Sequence, residues 1–186
     1  MYSIQYYEDL VFYGKDRGKL RLNLYVPEGV EDFPTVVFFY GGGFTAGCKE
    51  DVTGIAEEFA REGYGVVTPN YRYYPEYPYP VSIEDGAAAV NWVYRQIGKY
   101  GGSSHIYVGG HSAGAYLAMM LAFDKHFLSP YDINPEKDID GWLLASAQPT
   151  VHYTYLEADH LDPKKIVVDE RAPLYHVHSE GAPLLI

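Results

Sequence analysis

The 186-residue chain contains only one cysteine, Cys48, so no disulfide can form within it. Basic residues are also scarce: 14 Lys and Arg accompany 25 Asp and Glu, and the formal net charge is −11. This charge disfavours nucleic acid and anionic membranes as partners. The sequence has no apolar run of membrane-spanning length and no N-terminal secretory signal. These absences predict a cytoplasmic protein.

The apolar content is ample for a folded domain. A hydrophobic fraction of 47% excludes disorder, and the length suits a single domain over residues 1–186 with a sizeable core. Tyrosine is unusually frequent, with 20 residues, many of them between Tyr71 and Tyr79. Such a cluster can line a pocket or an interface, although partly buried packing is the more common role.

Strand-like and helix-like segments alternate along the chain. The predicted strands are residues 2–13, 20–26, 35–40, 65–69, 106–108, 141–147 and 182–186. The predicted helices are residues 51–62, 82–100 and 113–122. The first two strands form an antiparallel hairpin with a turn at Asp16, Arg17 and Gly18. This alternation is typical of a mostly parallel sheet with helices on both faces.

One predicted helix is amphipathic, and two other segments have no regular pattern. In the helix predicted for residues 51–62, Val52, Ile55 and Phe59 are expected to face the core. Residues 148–171 show no periodicity, and we expect an irregular excursion over the sheet edge, a candidate cap. The proline-rich stretch 70–80 must be a loop held by side chains, since proline disrupts regular structure.

A serine lies in a glycine-rich turn between a predicted strand and a predicted helix. Gly110-His111-Ser112-Ala113-Gly114 fits the G-x-S-x-G pattern of a nucleophile elbow, which raises a serine hydroxyl above a sheet edge. Glycine flanks the serine because a Cβ there would meet the neighbouring strand or helix. Ser112 is therefore the candidate nucleophile, although the pattern alone also fits an ordinary glycine-rich turn.

Three consecutive glycines, Gly41 to Gly43, follow the buried strand 35–40. Such a loop leaves backbone N–H groups free near the end of the strand, where they can stabilise the oxyanion of acyl transfer. A flexible turn is the simpler interpretation of the loop alone. Because ligands bind beyond the carboxyl ends of parallel strands, we expect this loop and the Ser112 turn to meet at one site.

Four stretches together resemble the α/β-hydrolase esterase and lipase family, in particular its hormone-sensitive-lipase-like carboxylesterase branch. They are residues 40–44, similar to the HGGG motif with Tyr40 in place of His; 70–80, similar to DYRLAPEHPFP with Asn70 in place of Asp; 83–92; and 110–117, similar to GHSAGAHLA. The likeness extends over about residues 20 to 123. It implies an α/β-hydrolase fold.

The resemblance also implies a function and a site. Ser112 would attack small acyl esters and form an acyl-enzyme, with the oxyanion held by the N–H groups of Gly42, Gly43 and Ala113. Further candidates, for the substrate pocket, are Phe44, Tyr73 and His111. No cofactor or metal is expected, and the partner is a small-molecule ester. An amidase or formamidase, a non-catalytic binding module, and a homo-oligomer all remain open.

The family orders its triad as Ser, then Asp or Glu, then His. The resemblance places the last two beyond Ile186, so we expect the C-terminal strands to be missing and this fragment to be inactive. A local alternative pairs His152 or His160 with Glu157 or Asp159. The sequence His176-Val177-His178 offers two imidazoles but no third ligand at metal-binding spacing.

Overall fold

A computed structural model describes residues 1–13, 20–179 and 181–186. Its strands are Ile4–Tyr13 (β1), Leu20–Pro27 (β2), Phe33–Phe39 (β3), Gly65–Pro69 (β4), Gly102–His111 (β5), Gly141–Ala145 (β6) and Leu184–Leu185 (β7). The α-helices are Thr53–Arg61 (α1), Val81–Gln96 (α2), Ala113–Phe123 (α3) and Tyr153–Ala158 (α4). The predicted turn at Asp16, Arg17 and Gly18 lies outside the described residues.

The strands form one sheet in the order β1-β2-β4-β3-β5-β6-β7. The β1–β2 and β2–β4 pairs are antiparallel. The remaining neighbours in the sheet, β4–β3, β3–β5, β5–β6 and β6–β7, are parallel pairs. In the β3–β5 pair, Phe39 is in register with Gly110. The ends of these two strands are therefore neighbours, as predicted, and the segments that follow them emerge side by side.

Helices cover both faces of the sheet. Adjacent residues of a strand point to opposite faces, and on β4 Val66 packs with Ala56 and Ala60 of α1, while Val67 belongs to the core shared with α2 and α3. The α3 segment is buried from Ala113 to Ala122. This all-round burial explains why its sequence is apolar on every side.

Three expectations from the sequence are corrected. Ile55 is 41% exposed, because α1 turns the small residues Ala56 and Ala60 towards the sheet instead. The predicted helix 82–100 ends at Gln96 and continues as a 3-10 turn. The stretch 148–171 is not wholly irregular, since it contains α4. Within the described ranges, every helix is too short or too polar to cross a bilayer.

Candidate active site

Ser112 occupies a sharp bend between β5 and α3. Its backbone has φ 54° and ψ −118°, a conformation that L-residues rarely adopt and that functional sites tend to retain. The Ser112 N–H donates to the Ala145 carbonyl of β6 at 2.8 Å, and the Ser112 carbonyl accepts from the Tyr116 N–H at 2.9 Å. Neighbouring strand and helix therefore fix the bend from both sides, and Ser112 stays half-buried.

The flanking glycines are required by close backbone approach. A Cβ on Gly110 would lie 2.5 Å from the Gly114 carbonyl carbon and 2.7 Å from the Phe39 carbonyl oxygen. A Cβ on Gly114 would lie 2.2 Å from the same Phe39 oxygen. These atoms belong to the main chain and cannot move aside, so the glycine requirement predicted from the sequence is confirmed.

The glycine loop lies directly against this bend. A Cβ on Gly41 would lie 3.2 Å from the Ser112 Cβ. The Gly42 carbonyl accepts from the N–H groups of Thr45 and Ala46, both at 3.1 Å. Because C=O and N–H point in opposite directions in a trans peptide, these bonds turn the Gly43 N–H away from the turn.

The N–H groups of Gly42, Gly43 and Ala113 have no acceptor among the described residues. Gly42 and Gly43 have φ of +126° and +64°, values that favour glycine. Unpaired N–H groups held in fixed directions beside a serine form the arrangement that stabilises an oxyanion.

Tyrosines hold the start of the glycine loop. The Tyr71 hydroxyl donates to the Tyr40 carbonyl at 2.9 Å, and the two rings are stacked with centroids 4.5 Å apart. The Tyr73 hydroxyl donates to the Gly47 carbonyl, so the Tyr40 hydroxyl donates to the Tyr73 oxygen, 2.7 Å away. Burial raises the pKa of Tyr40 far above its usual range, and the phenol keeps its proton. Tyr40 thus supports the loop where the family motif has histidine.

A buried ion pair holds the proline-rich loop 70–80 to α2. The sequence predicted a loop held by side chains, and these contacts agree with that prediction. The Arg72 Nε and Asp85 Oδ2 are 2.8 Å apart, and the Arg72 Nη2 and Asp85 Oδ1 are 2.5 Å apart. The Arg72 N–H donates to the same carboxylate at 2.9 Å, and the Ser82 hydroxyl donates to the Arg72 carbonyl. Such a bidentate pair fixes both side chains in one geometry.

The three pocket candidates occupy different environments. Phe44 is fully buried with φ 62°, and its ring contacts Tyr71, Tyr116, His152 and Tyr155. Its side chain therefore supports the loop from behind and presents no surface to a ligand. Tyr73 is half-buried under the loop, whereas His111 is exposed beside Gly41.

Residues far along the chain complete the loop's support. The Thr154 hydroxyl of α4 donates to the Gly43 carbonyl at 2.6 Å. The hydroxyl of Tyr153 lies 2.2 Å from the position that a Gly43 Cβ would take. Sequence reasoning missed both residues, since they are separated from Gly43 by about 110 positions and no motif marks them.

In the part of the chain that the structure describes, no histidine hydrogen-bonds to Ser112. His152 is buried among aromatic rings, and its Nδ1 accepts from the Thr154 N–H at 3.3 Å. Burial lowers the pKa of His152 to about 4. Asp159 pairs with Arg171 at 2.6 Å, and His160 is exposed. The local histidine–acid pairs considered from the sequence therefore do not form in this structure.

The other two candidate histidines make unrelated contacts. His176 Nε2 lies 2.8 Å from the Glu170 carbonyl oxygen, and His178 Nδ1 lies 3.4 Å from Glu136 Oε1. Among the described residues, no group of three or more His, Cys, Asp or Glu side chains has a metal-holding arrangement.

The strand order, the bend at Ser112 and the adjoining glycine loop define an α/β-hydrolase, and the resemblance predicted from the motifs is confirmed. The BD-FAE family matches residues 22–136, and the chain belongs to that family.

Known proteins share this fold over part of their length. Carboxylesterase NlhH of Mycobacterium tuberculosis is 36% identical over 104 residues, which are 54% of this chain and 33% of that protein. The Pyrobaculum calidifontis esterase is 25% identical with a TM-score of 0.74, covering 97% of this chain and 64% of that one. A bacterial heroin esterase is 20% identical with a TM-score of 0.73, covering 98% and 65%. The chain thus matches about a third of NlhH and about two thirds of these esterase structures.

Proposed function

We propose that the whole protein is a serine carboxylesterase acting on esters of small acyl groups. Ser112 Oγ bonds to the ester carbonyl carbon, and the carbonyl oxygen becomes an oxyanion held by the N–H groups of Gly42, Gly43 and Ala113. The alcohol then leaves with a proton, and water hydrolyses the acyl-enzyme. The observation that carries this proposal is the strained bend at Ser112 in contact with a loop of unpaired N–H groups.

In this mechanism the general base comes from residues of the full-length protein other than residues 1–186. Serine is a weak nucleophile without a base, and no described histidine contacts Ser112. The matched segment corresponds to only 33% of NlhH, which supports this assignment. We therefore expect the 186-residue chain alone to be inactive.

The remaining assignments follow from the same proposal. Residues 1–186 form one hydrolase domain in which 148–171 is a cap over the glycine loop, an assignment supported by the bond from Thr154 to Gly43. His111 and Tyr73 border the substrate, with Phe44 behind them. The chemistry uses side-chain and backbone groups only. The cytoplasmic location and a homo-oligomer stay predictions.

The test is hydrolysis of short p-nitrophenyl esters by the natural full-length protein. Ser112→Ala should lower kcat by at least about a thousandfold, since it removes the nucleophile. Ser104→Ala is the matched control, because Ser104 is an exposed serine of the same strand. Equal rates for wild type and Ser112→Ala would refute the esterase proposal.

The lack of a described base next to Ser112 favours a second candidate, a non-catalytic hydrolase-like binding module. A fluorophosphonate probe separates the two, because only an activated serine reacts with it quickly. Labelling that depends on Ser112 supports the enzyme, and its absence in the full-length protein supports the binding module. Faster turnover of p-nitroanilides or formamides than of esters would indicate the amidase or formamidase alternative.

A further inference from the structure

The hydroxyl of Tyr153 lies beside the backbone of the proposed oxyanion loop. It comes within 2.2 Å of the place where a Cβ on Gly43 would be, so it contacts the Gly43 Cα closely. Tyr153 is nevertheless 41% exposed. Because Tyr153 is partly exposed and its hydroxyl lies against the loop, this hydroxyl can reach a ligand bound at the loop.

The position of this hydroxyl is fixed by its neighbours in sequence. Thr154 anchors the start of α4 to the loop through its 2.6 Å bond to the Gly43 carbonyl. On the other side, the buried ring of His152 packs against the Tyr153 ring with centroids 4.3 Å apart. Tyr153 therefore lies between two buried anchors, and few positions remain open to its hydroxyl.

The Tyr153 hydroxyl has no hydrogen-bond partner among the described residues. The hydroxyls of the other tyrosines around the loop already donate hydrogen bonds: Tyr71 donates to the Tyr40 carbonyl and Tyr73 donates to the Gly47 carbonyl. Of these side chains, Tyr153 is the one whose hydroxyl makes no hydrogen bond to a described residue, and it belongs to a partly exposed residue. Side-chain hydroxyls, including that of tyrosine, can act as donors to a developing oxyanion.

We propose that Tyr153 is a catalytic residue that donates a hydrogen bond to the substrate carbonyl oxygen as it becomes an oxyanion, next to the Gly43 N–H. This inference rests on the proposed esterase function and adds a side-chain donor to its backbone donors. It also gives position 43 a second reason to be glycine, because any Cβ there would displace the donor oxygen.

Tyr153→Phe in the full-length protein tests the assignment, since it removes the oxygen and keeps the ring on His152. Loss of one such donor typically lowers kcat by about a hundredfold or more. A charged oxyanion benefits more than a neutral carbonyl, so kcat should fall while KM stays nearly constant. Affinity for an alkyl boronic acid, which forms a tetrahedral adduct on the serine, should fall in parallel. Tyr175→Phe, at a 61% exposed tyrosine outside the site, is the matched control.

The possible outcomes separate this inference from the esterase proposal. Ser112-dependent turnover with kcat within twofold of wild type in Tyr153→Phe overturns the role of Tyr153 and leaves the esterase function intact. A change confined to KM also overturns it, because that pattern indicates ground-state binding only. If the wild type shows no Ser112-dependent turnover or boronic acid binding, both proposals fail together.

Discussion

The two glycine-rich segments at the site are held in place by different means. The bend at Gly110–Gly114 is fixed by main-chain atoms, since its glycines contact the Phe39 carbonyl and its serine bonds to Ala145. The loop at Gly41–Gly43 has main-chain bonds to the residues just after it, Thr45 and Ala46, but side chains, chiefly Tyr71 and Thr154, join it to the rest of the fold. The bend is therefore held by the strands of the sheet, whereas the loop is held to the fold by side chains that lie far from it in the sequence.

This difference predicts how each segment responds to mutation. Main-chain neighbours can relax only by moving a strand, and side-chain neighbours can rotate away at lower cost. Changes at the bend should affect global stability, and changes around the loop should affect its geometry first. The following predictions test that contrast.

Gly114→Ala should cause the largest loss of stability. Its Cβ would lie 2.2 Å from the Phe39 carbonyl oxygen, and we expect the free energy of unfolding to fall by about 3 kcal/mol. Gly43→Ala should cost roughly half as much, because the nearest obstacle there is the end of a side chain, the Tyr153 hydroxyl, and not the main chain. Urea denaturation measures both.

Gly54→Ala is the control for these two variants, since no atom lies within 4 Å of its Cβ and Gly54 is helical. It should raise the stability by about 0.5 kcal/mol. An equal loss in Gly114→Ala and Gly43→Ala would contradict the distinction between main-chain and side-chain support.

The free energy of unfolding should also fall in acid, because His152, which packs beside the residues that support the loop, has a lowered pKa. Its folded-state pKa of about 4 lies below the ordinary value of 6.5, so the unfolded chain binds more protons between these pH values. The contribution of His152 to the free energy of unfolding is therefore fully present above pH 6.5. It falls by up to about 3 kcal/mol as the pH decreases towards 4.

His152→Asn isolates this effect, because asparagine can still accept the Thr154 N–H at the start of α4 but does not titrate. The variant should show a flatter stability profile between pH 6.5 and 4 in urea titrations. A wild-type profile of the same slope as that of His152→Asn would mean that His152 is not the group responsible.

Thr154→Val should have a smaller effect on stability, about 1–2 kcal/mol, because it leaves the Gly43 carbonyl buried without a donor. Thr154→Ser retains the hydroxyl and serves as the matched control. In the full-length protein we expect Thr154→Val to lower kcat more than it raises KM, since it frees the loop carrying the Gly43 N–H. Identical kinetics in the two variants would show that the hydroxyl does not position the loop.

The same contrast explains what the sequence could predict. The bend, the glycine loop and the parallel sheet were predictable because each leaves a local pattern: glycines around Ser112, three glycines after β3, and apolar runs at the strands. The position of β3 beside β5 then followed from the shared site. These features arise from backbone requirements that act over a few residues.

The rest of the site leaves no such pattern. The contact of Thr154 with Gly43 joins residues 111 positions apart, and α4 is only six residues long, too short for a clear helical period. Ile55 was misplaced because α1 approaches the sheet with Ala56 and Ala60, and close packing favours small residues over the more hydrophobic face. Tertiary packing decides such cases.

Apart from the control variants, Ser112→Gly should have the smallest effect on stability, and it is expected to stabilise the protein. At φ 54° and ψ −118° a serine Cβ is strained, and such a residue costs of order 1 kcal/mol or more that glycine does not incur. Glycine also increases the entropy of the unfolded chain, which opposes this gain by about 0.5–1 kcal/mol. The strain relieved, about 1–3 kcal/mol, is larger, so we expect a net stabilisation of about 1 kcal/mol. Ser112→Ala keeps the Cβ and should match the wild type in urea denaturation. If Ser112→Gly is no more stable than Ser112→Ala, the bend does not store strain at the serine, and its support by β6 and α3 must already accommodate a side chain there.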